Sequence, residues 1–569
     1  MGNKVAAEGT NVNGLKRRYC DRQVRDFLTY RMWDINKFLF FVVQFFGKFR
    51  FKGMTRPEKG SSLTKENLPM PALNITSRKT QFCVAFLSVL LQGGLCFAQS
   101  AVELSPKVGP PTTNFEVSGS HFPASTLVDI YFDTTEVALA VTNISGVFSD
   151  MEIEAPASAL PGTHWVTVVV GATGQAAQVP FYVQTNWAQF HAINRQTGLN
   201  PYENVLSPTT AGGLDLDWSY TTGGQGMSSP ASAAVFSTSA HEFYLAYIGS
   251  EDDNVYALNA STGDVLWKYA TGGQVFSSPA VADGSVYVGS DDFSIYALNA
   301  YSGAFEWKYG TGGYVWSSPT VANELVNDTV TGMVYVGSND SNVYALNAIT
   351  GALLWKYATG NFVQSSPAVV NGVVYVTSGD DNVYALNATT GALLWKYATG
   401  SWITSSPAVT EGVVYVSSSD SSVYALKAST GALLWKYTTG SIVTSSPAVA
   451  DGVVYVGSND DNLYALDAYG GYLHWNYTTG GPVTSSPAVA NGVVYVGSND
   501  GNVYAIDVEG GYKLWQYATG NAVSSSPAVA NGTVYVGSTD SNVYAFSDIN
   551  DPVQAIERPD PATLRPTLR

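Results

Sequence analysis

From residue 214 to 548 the chain writes one unit over and over, SSPAVVNGVVYVTSGDDNVYALNATTGALLWKYATG in the copy that starts at Ser365, and this constrains the fold more than any other feature. Tryptophans recur at 218, 267, 307, 355, 395, 435, 475 and 515. A proline after Ser-Ser recurs at 230, 279, 319, 367, 407, 447, 487 and 527, and a tyrosine before alanine at 256, 296, 344, 384, 424, 464, 504 and 544. Turn residues cut each unit into four short runs. PAVA meets an Asn-Gly or Asp-Gly pair, a strong hairpin signal. VVYVGS follows and ends in a polar Asx-rich turn, VYALNA closes on Thr-Gly, and ALLWKY completes the unit.

A unit of four strands cannot bury both of its faces alone, so neighbours must stack. The expected fold class is all-β, an eight-bladed β-propeller with four-stranded blades. Its ends suggest the closure. The last unit stops at VYAFSDIN without its tryptophan strand, while LDWSY at 216–220 is a tryptophan strand with no unit before it. The N-terminal strand is therefore expected to complete the last blade and remove an open edge.

Upstream, residues 102–184 read as short alternating runs broken by Gly, Pro, Ser and Thr, the pattern of an antiparallel sandwich. The stretch SGSHFPASTLVDIYFD within it resembles the small Ig-like domains of bacterial surface proteins, which implies a spacer. Residues 185–213 read as a linker packing on the propeller, and 549–569 as a Pro-rich disordered tail. Residues 70–98 carry a basic pair (Arg78, Lys79), an apolar run from Phe82 to Leu91, and Cys96 and Ala98 at −3 and −1 of a cut. That is a signal peptide, with a core too short to span a bilayer. Residues 1–69 hold 14 Lys/Arg against 6 Asp/Glu, and read as a non-native upstream extension or a cytoplasmic tail. A cut after Ala98 removes Cys20, Cys83 and Cys96, leaving a secreted, periplasmic or cell-surface chain without cysteine. No stable membrane insertion is expected after cleavage, and a monomer is expected.

The segment Ala-Leu-Asn-Ala-x-Thr-Gly-x-x-x-Trp, as at Ala257–Trp267, Ala345–Trp355, Ala385–Trp395 and Ala425–Trp435, resembles the AxDxxTGxxxW repeat of pyrroloquinoline-quinone-like (PQQ-like) propellers. The resemblance implies that Trp218, Trp267, Trp307, Trp355, Trp395, Trp435, Trp475 and Trp515 dock between blades, as structure and not as ligand platforms. It also raises quinone-dependent dehydrogenase chemistry, which in that family uses an active-site Asp, a calcium-binding carboxylate, a cofactor-contacting Arg and often a vicinal disulfide. From 214 to 548 there is no Arg and no Cys, and only His241 and His474. The expectation is therefore no catalytic residue, no metal and no cofactor, neither PQQ nor calcium. The eight turn aspartates (Asp252, Asp292, Asp340, Asp380, Asp420, Asp460, Asp500, Asp540) are explained by turn chemistry and should make one face negative.

What varies between blades is the junction before Ser-Ser-Pro: GQVF, GYVW, NFVQ, SWIT, SIVT, GPVT and NAVS. Phe276, Tyr314, Trp316, Phe362 and Trp402 fall on successive junctions at one mouth of the channel, a candidate ligand-binding arc. The alternative use of these rings is to plug the channel. With 7 Lys against 27 Asp/Glu over 214–548, nucleic acid is excluded as a partner. The expected function is non-catalytic recognition of a protein or glycan by an extracytoplasmic scaffold. The alternatives are a quinone-dependent alcohol or sugar dehydrogenase and a propeller factor of outer-membrane barrel assembly.

Overall fold

The computed structural model describes residues 99–224, 231–235, 243–326 and 329–548, together with Leu564. The signal peptide, the upstream extension, all three cysteines and the tail apart from Leu564 lie outside the described residues.

Two of the four runs in each unit are apolar throughout, and the structure shows why. Val373–Thr377 and Asn382–Asn387 are buried at nearly every position, because a blade's central strands have another blade on each side. The tryptophan strand Leu353–Ala358 alternates instead, with Trp355 inward and its neighbours exposed. Among the described residues there are eight such sheets, seven of them running in chain order from inner to outer strand. Their inner strands touch in sequence, and Ala528–Ala530 of the last sheet returns to Ala231–Val235 of the first, so the ring is closed. In the last blade the outer strand is Leu214–Thr221, paired antiparallel with Asn542–Asp548. Blades are numbered 1 to 8 from Ala231.

Residues 101–183 form a separate pair of sheets. Ala101–Ser105, Asn114–Ser120 and Phe148–Glu154 make one. Leu127–Phe132, Thr135–Val141, Gly162–Val169 and Ala176–Val183, with Val108–Gly109, make the other. They share a core in which Phe115 stacks on Phe181 at 4.4 Å. Asn204 joins this sandwich to the ring by donating to the Ala159 carbonyl at 2.9 Å.

The segment read as a linker does more than connect. Residues 188–200 run around the inside of the ring. The backbone N–H groups of Val281, Val369, Val409, Val449 and Val489 donate to the carbonyls of Ala188, Asn194, Arg195, Thr197 and Gly198 at 2.7–2.9 Å. The Gln189 side chain accepts from Val321 N–H, and the Asn200 amide donates to the Val529 carbonyl. The innermost strand of every blade has a free edge toward the channel, and this segment satisfies seven of them. No helix among the described residues is long and apolar enough to cross a membrane.

Candidate functional site

The repeated residues build seams between blades. Trp218 donates its Nε1–H to the Ala260 carbonyl of the next blade at 2.8 Å, and the same bond recurs from Trp267, Trp307, Trp355, Trp395 and Trp435 to Ala300, Ala348, Ala388, Ala428 and Ala468. Trp475 reaches the Val508 carbonyl, while Trp515 packs edge-on against Phe546 at 5.0 Å. A Cβ on Gly391 would stand 2.6 Å from the Trp355 ring, so the Thr-Gly glycine is the bed on which the neighbouring indole lies. Its φ of +70° is the second reason for glycine there. Tyrosines of the second strand add a further donor to the same carbonyls, as Tyr335 does to Ala388 at 3.2 Å.

A second belt follows from Ser-Ser-Pro. The N–H of Ser278 donates to the Ser318 hydroxyl of the next blade, and the pattern passes through Ser366, Ser406, Ser446 and Ser486 to Ser526 at 2.8–3.0 Å.

The turn aspartates belong to these seams as well. Asp380 Oδ2 accepts from the Tyr384 hydroxyl at 2.5 Å and from the Gly360 N–H of the preceding turn at 2.8 Å. Burial alone would raise its pKa, but these donors outweigh that and hold the carboxyl below its ordinary value. The same holds for Asp340, Asp460, Asp500 and Asp540. In blades 2 and 5 a lysine joins, Lys308 on Asp292 at 2.7 Å and Lys436 on Asp420 at 3.0 Å. The expectation of an openly negative face is corrected accordingly: the ring of charge is folded into the seams, and the Asp292 and Asp420 side chains are only 12 % exposed. The turn carboxylates are therefore already engaged and poorly placed to ligate a calcium ion. Each carboxylate already takes a hydroxyl or backbone donor, and among the described residues no group of three or more His, Cys, Asp or Glu is arranged to hold a metal ion.

The junction residues divide into two sets. Phe276 lies 5.4 Å from Trp316, and Trp316 lies 6.2 Å from Tyr314 with the two rings 15° from parallel. Phe362 lies over Gly379, where a Cβ would be 2.4 Å from the ring, and Trp402 stands 42 % exposed on its own junction. Among the described residues neither makes a ring contact with the first three. The alternative of a channel plug fits these rings poorly: Tyr314 and Trp316 are 44 % and 38 % exposed, and residues 188–200 already line the channel.

Sequence reasoning missed a fourth ring. Phe293 sits 5.1 Å from Tyr314, at φ +67°. The corresponding residue is left-handed in every blade, and there the others are Asp253, Ser341, Asp381, Ser421, Asp461, Gly501 and Ser541. A bulky side chain in that conformation is strained by ~1–3 kcal/mol. The signal was available as one aromatic among seven small or polar residues. Trp316 also donates its Nε1–H to Asp291 Oδ1 at 2.6 Å, and burial raises the Asp291 carboxyl, with Asp253 and Asp292 nearby adding to the shift. The cluster is therefore an exposed apolar platform with an acidic edge.

The family model described as outer membrane protein assembly factor BamB matches residues 218–362, 339–444 and 421–551. No curated protein matches the chain. Among solved structures, the chain is similar to a europium-containing methanol dehydrogenase at TM-score 0.54 and 15 % identity, covering 64 % of this chain and 98 % of that one. It is similar to a quinohemoprotein alcohol dehydrogenase from Comamonas testosteroni at TM-score 0.53 and 15 % identity, covering 66 % and 82 %. BamB from Moraxella catarrhalis gives TM-score 0.49 and 19 % identity over 59 % and 99 %. At such identities the likeness is one of fold. The repeat matches span more than half of the chain, and the protein belongs to the PQQ-like β-propeller family whose model is described as outer membrane protein assembly factor BamB.

Proposed function

We propose that this protein is a non-catalytic, extracytoplasmic binding scaffold, in which the sandwich at 101–183 acts as an Ig-like spacer. The propeller would present the mouth formed by Phe276, Phe293, Tyr314 and Trp316 to a protein or glycan. The observation that carries this reading is Phe293. Seven blades fill the same left-handed position with a glycine or a short polar residue, and one uses a ring that completes an exposed cluster. Strain kept in one repeat among eight is what a recognition site requires and a structural turn does not. Assembly work of the kind named for the family would suit such a surface. The acidic edge at Asp291 favours a partner whose contact surface carries amines or hydroxyls.

The test uses the full chain, immobilised, against extracytoplasmic protein fractions and a panel of glycans. Beside it runs a variant carrying Phe276→Ser, Tyr314→Ala and Trp316→Thr, residues that other junctions hold at those places. A specific partner captured by the parent and lost by the variant supports the reading. Reduction of a dye by the chain in the presence of an alcohol, PQQ and calcium overturns it in favour of a dehydrogenase.

A further inference from the structure

Near-identical blades provide an internal control, and blade 5 breaks the rules of the repeat twice at one place. The first departure is Lys427. In six other blades the equivalent positions are Asn259, Asn299, Asn347, Asn387, Asp467 and Asp507, whose side-chain oxygens cap the following turn. Asn387, for example, accepts from the N–H groups of Thr389 and Thr390 at 3.1 and 2.8 Å. A lysine cannot accept, so blade 5 forgoes the cap. The second departure is Glu411, at φ +49° in a hairpin turn where five other blades place Asp283, Asn371, Asp451, Asn491 and Asn531. Asn and Asp tolerate that conformation better than a longer side chain.

Both departures line the same cavity of about 670 Å³ between blades 4 and 5, on the face opposite the aromatic mouth. The third charged residue there is Arg195, the one arginine among the described residues. Its carbonyl accepts from Val409 N–H within the channel, which fixes the residue at this junction while its side chain is exposed. Among the described residues neither Arg195 nor Lys427 forms an ion pair, although 27 Asp/Glu stand against 7 Lys from 214 to 548. Glu411 accepts from the Tyr469 hydroxyl at 2.8 Å and so has a neutral partner already. Asn371, Thr410 and Ser429 add neutral hydrogen-bonding groups, and Tyr375 and Trp395 an apolar wall.

We propose that this cavity binds a carboxylate-bearing saccharide, a uronic acid unit of a glycan. Arg195 takes the carboxylate in a forked pair, Lys427 supplies the second positive charge, and the neutral side chains with Glu411 meet the ring hydroxyls. An extended acidic peptide suits the place less well. The inner-strand edges it would need are taken, since Val369 and Val409 already donate to Asn194 and Arg195.

Calorimetric titration of the full chain with trigalacturonate at low salt tests the site, with maltotriose as the uncharged control and triglutamate as the peptide control. The expected result is saturable binding of trigalacturonate that weakens as salt rises, with maltotriose at least tenfold weaker. Lys427→Asn and Arg195→Gln should each weaken it tenfold or more. Lys427→Asn restores the cap used by the other blades, so its melting temperature should equal or exceed that of the parent, and loss of binding cannot be laid to misfolding. No saturable binding of trigalacturonate, an unchanged affinity in both variants, or triglutamate binding as tightly would each overturn the assignment.

Discussion

The two ends of the channel are built on opposite plans. At one end residues 188–200 press polar side chains into the ring: His191, Gln196, Thr197 and Asn200 are all at most 5 % exposed. At the other, the junctions leave Tyr314, Trp316 and Trp402 exposed by 38–44 %. A ring of equal blades offers the same unsatisfied strand edge many times, and a single irregular segment answers it with residues at uneven spacing. The mouth faces no such demand, because the serine belt and the aspartate turns have already tied the blades together there. Sequence change is therefore costly at the closed end and in the seams, and inexpensive at the mouth. The contrast is sharp enough to break.

The largest effect is expected in a seam. Trp355→Ala removes a buried indole, its bond to the Ala388 carbonyl and its packing on Gly391. By the usual cost of large core truncations this is about 3–5 kcal/mol. Trp316→Ala at the mouth should cost less than ~1 kcal/mol, since that ring is 38 % exposed. Denaturant titration of both variants decides. Similar losses would mean that the mouth ring is structural.

The closed end should be sensitive to acid. Burial lowers the His191 pKa to about 4, from 6.5, although its Nδ1–H donates to the Gln196 carbonyl. Among the described residues Nε2 is buried without a partner, so a second proton would find no acceptor there. A histidine whose folded pKa is depressed contributes full stability above its unfolded value, and that contribution is lost as pH falls from 6.5 toward 4. The shift corresponds to a loss on the order of 3 kcal/mol at pH 4. The turn aspartates, also depressed, lose their share only below the ordinary carboxylate range. Unfolding midpoints measured at pH 7.5, 5.5 and 4 should fall through the first window, and His191→Gln should flatten that part of the curve.

A smaller loss is expected from Gly198→Ala. At φ +62° the added Cβ would stand 2.7 Å from the Ala448 Cβ and 2.9 Å from the Pro487 carbonyl. Left-handed strain and overpacking together suggest about 2 kcal/mol. Calorimetry that showed no change in melting temperature would mean that the segment is draped over the ring and not locked into it.

The spacing of tryptophans was enough to read the all-β propeller, because each marks the outer strand of a blade. Why the motif couples Ala, Gly and Trp was not legible, since the partners belong to different blades: Trp355 needs the carbonyl of Ala388 and the flat surface of Gly391. The turn aspartates read as a charged rim from sequence in part for the same reason, since one donor to Asp380 is the Gly360 N–H of the preceding blade's junction. Tyr384, four residues after Asp380, donates its hydroxyl to the carboxylate and turns it inward. Residues 188–200 carry no periodicity, so pattern reading gives a linker packing on the propeller but not the seven inner strands that it meets. At the mouth the junction aromatics were visible, but distance along the ring was not. Phe276, Tyr314 and Trp316 meet, whereas Phe362 and Trp402 stand apart.

The smallest effect bears most directly on function. Phe293→Gly copies what blade 7 does with Gly501 at φ +86°. It relieves strain of ~1–3 kcal/mol. Against that stand the lost pairing with Tyr314, about 0.5–1.5 kcal/mol, and the added freedom of glycine in the unfolded chain, about 0.5–1 kcal/mol. The terms nearly cancel, so stability should stay level or rise by up to ~1 kcal/mol. Partner capture at the mouth should nevertheless fall. The seams obey the reverse rule: removing the Trp355 indole removes its bond to the Ala388 carbonyl and stability with it. A variant that folds as well as the parent and binds less would show that blade 2 keeps Phe293 for recognition. A clear loss of stability with capture unchanged would return the ring to the structural side of the comparison.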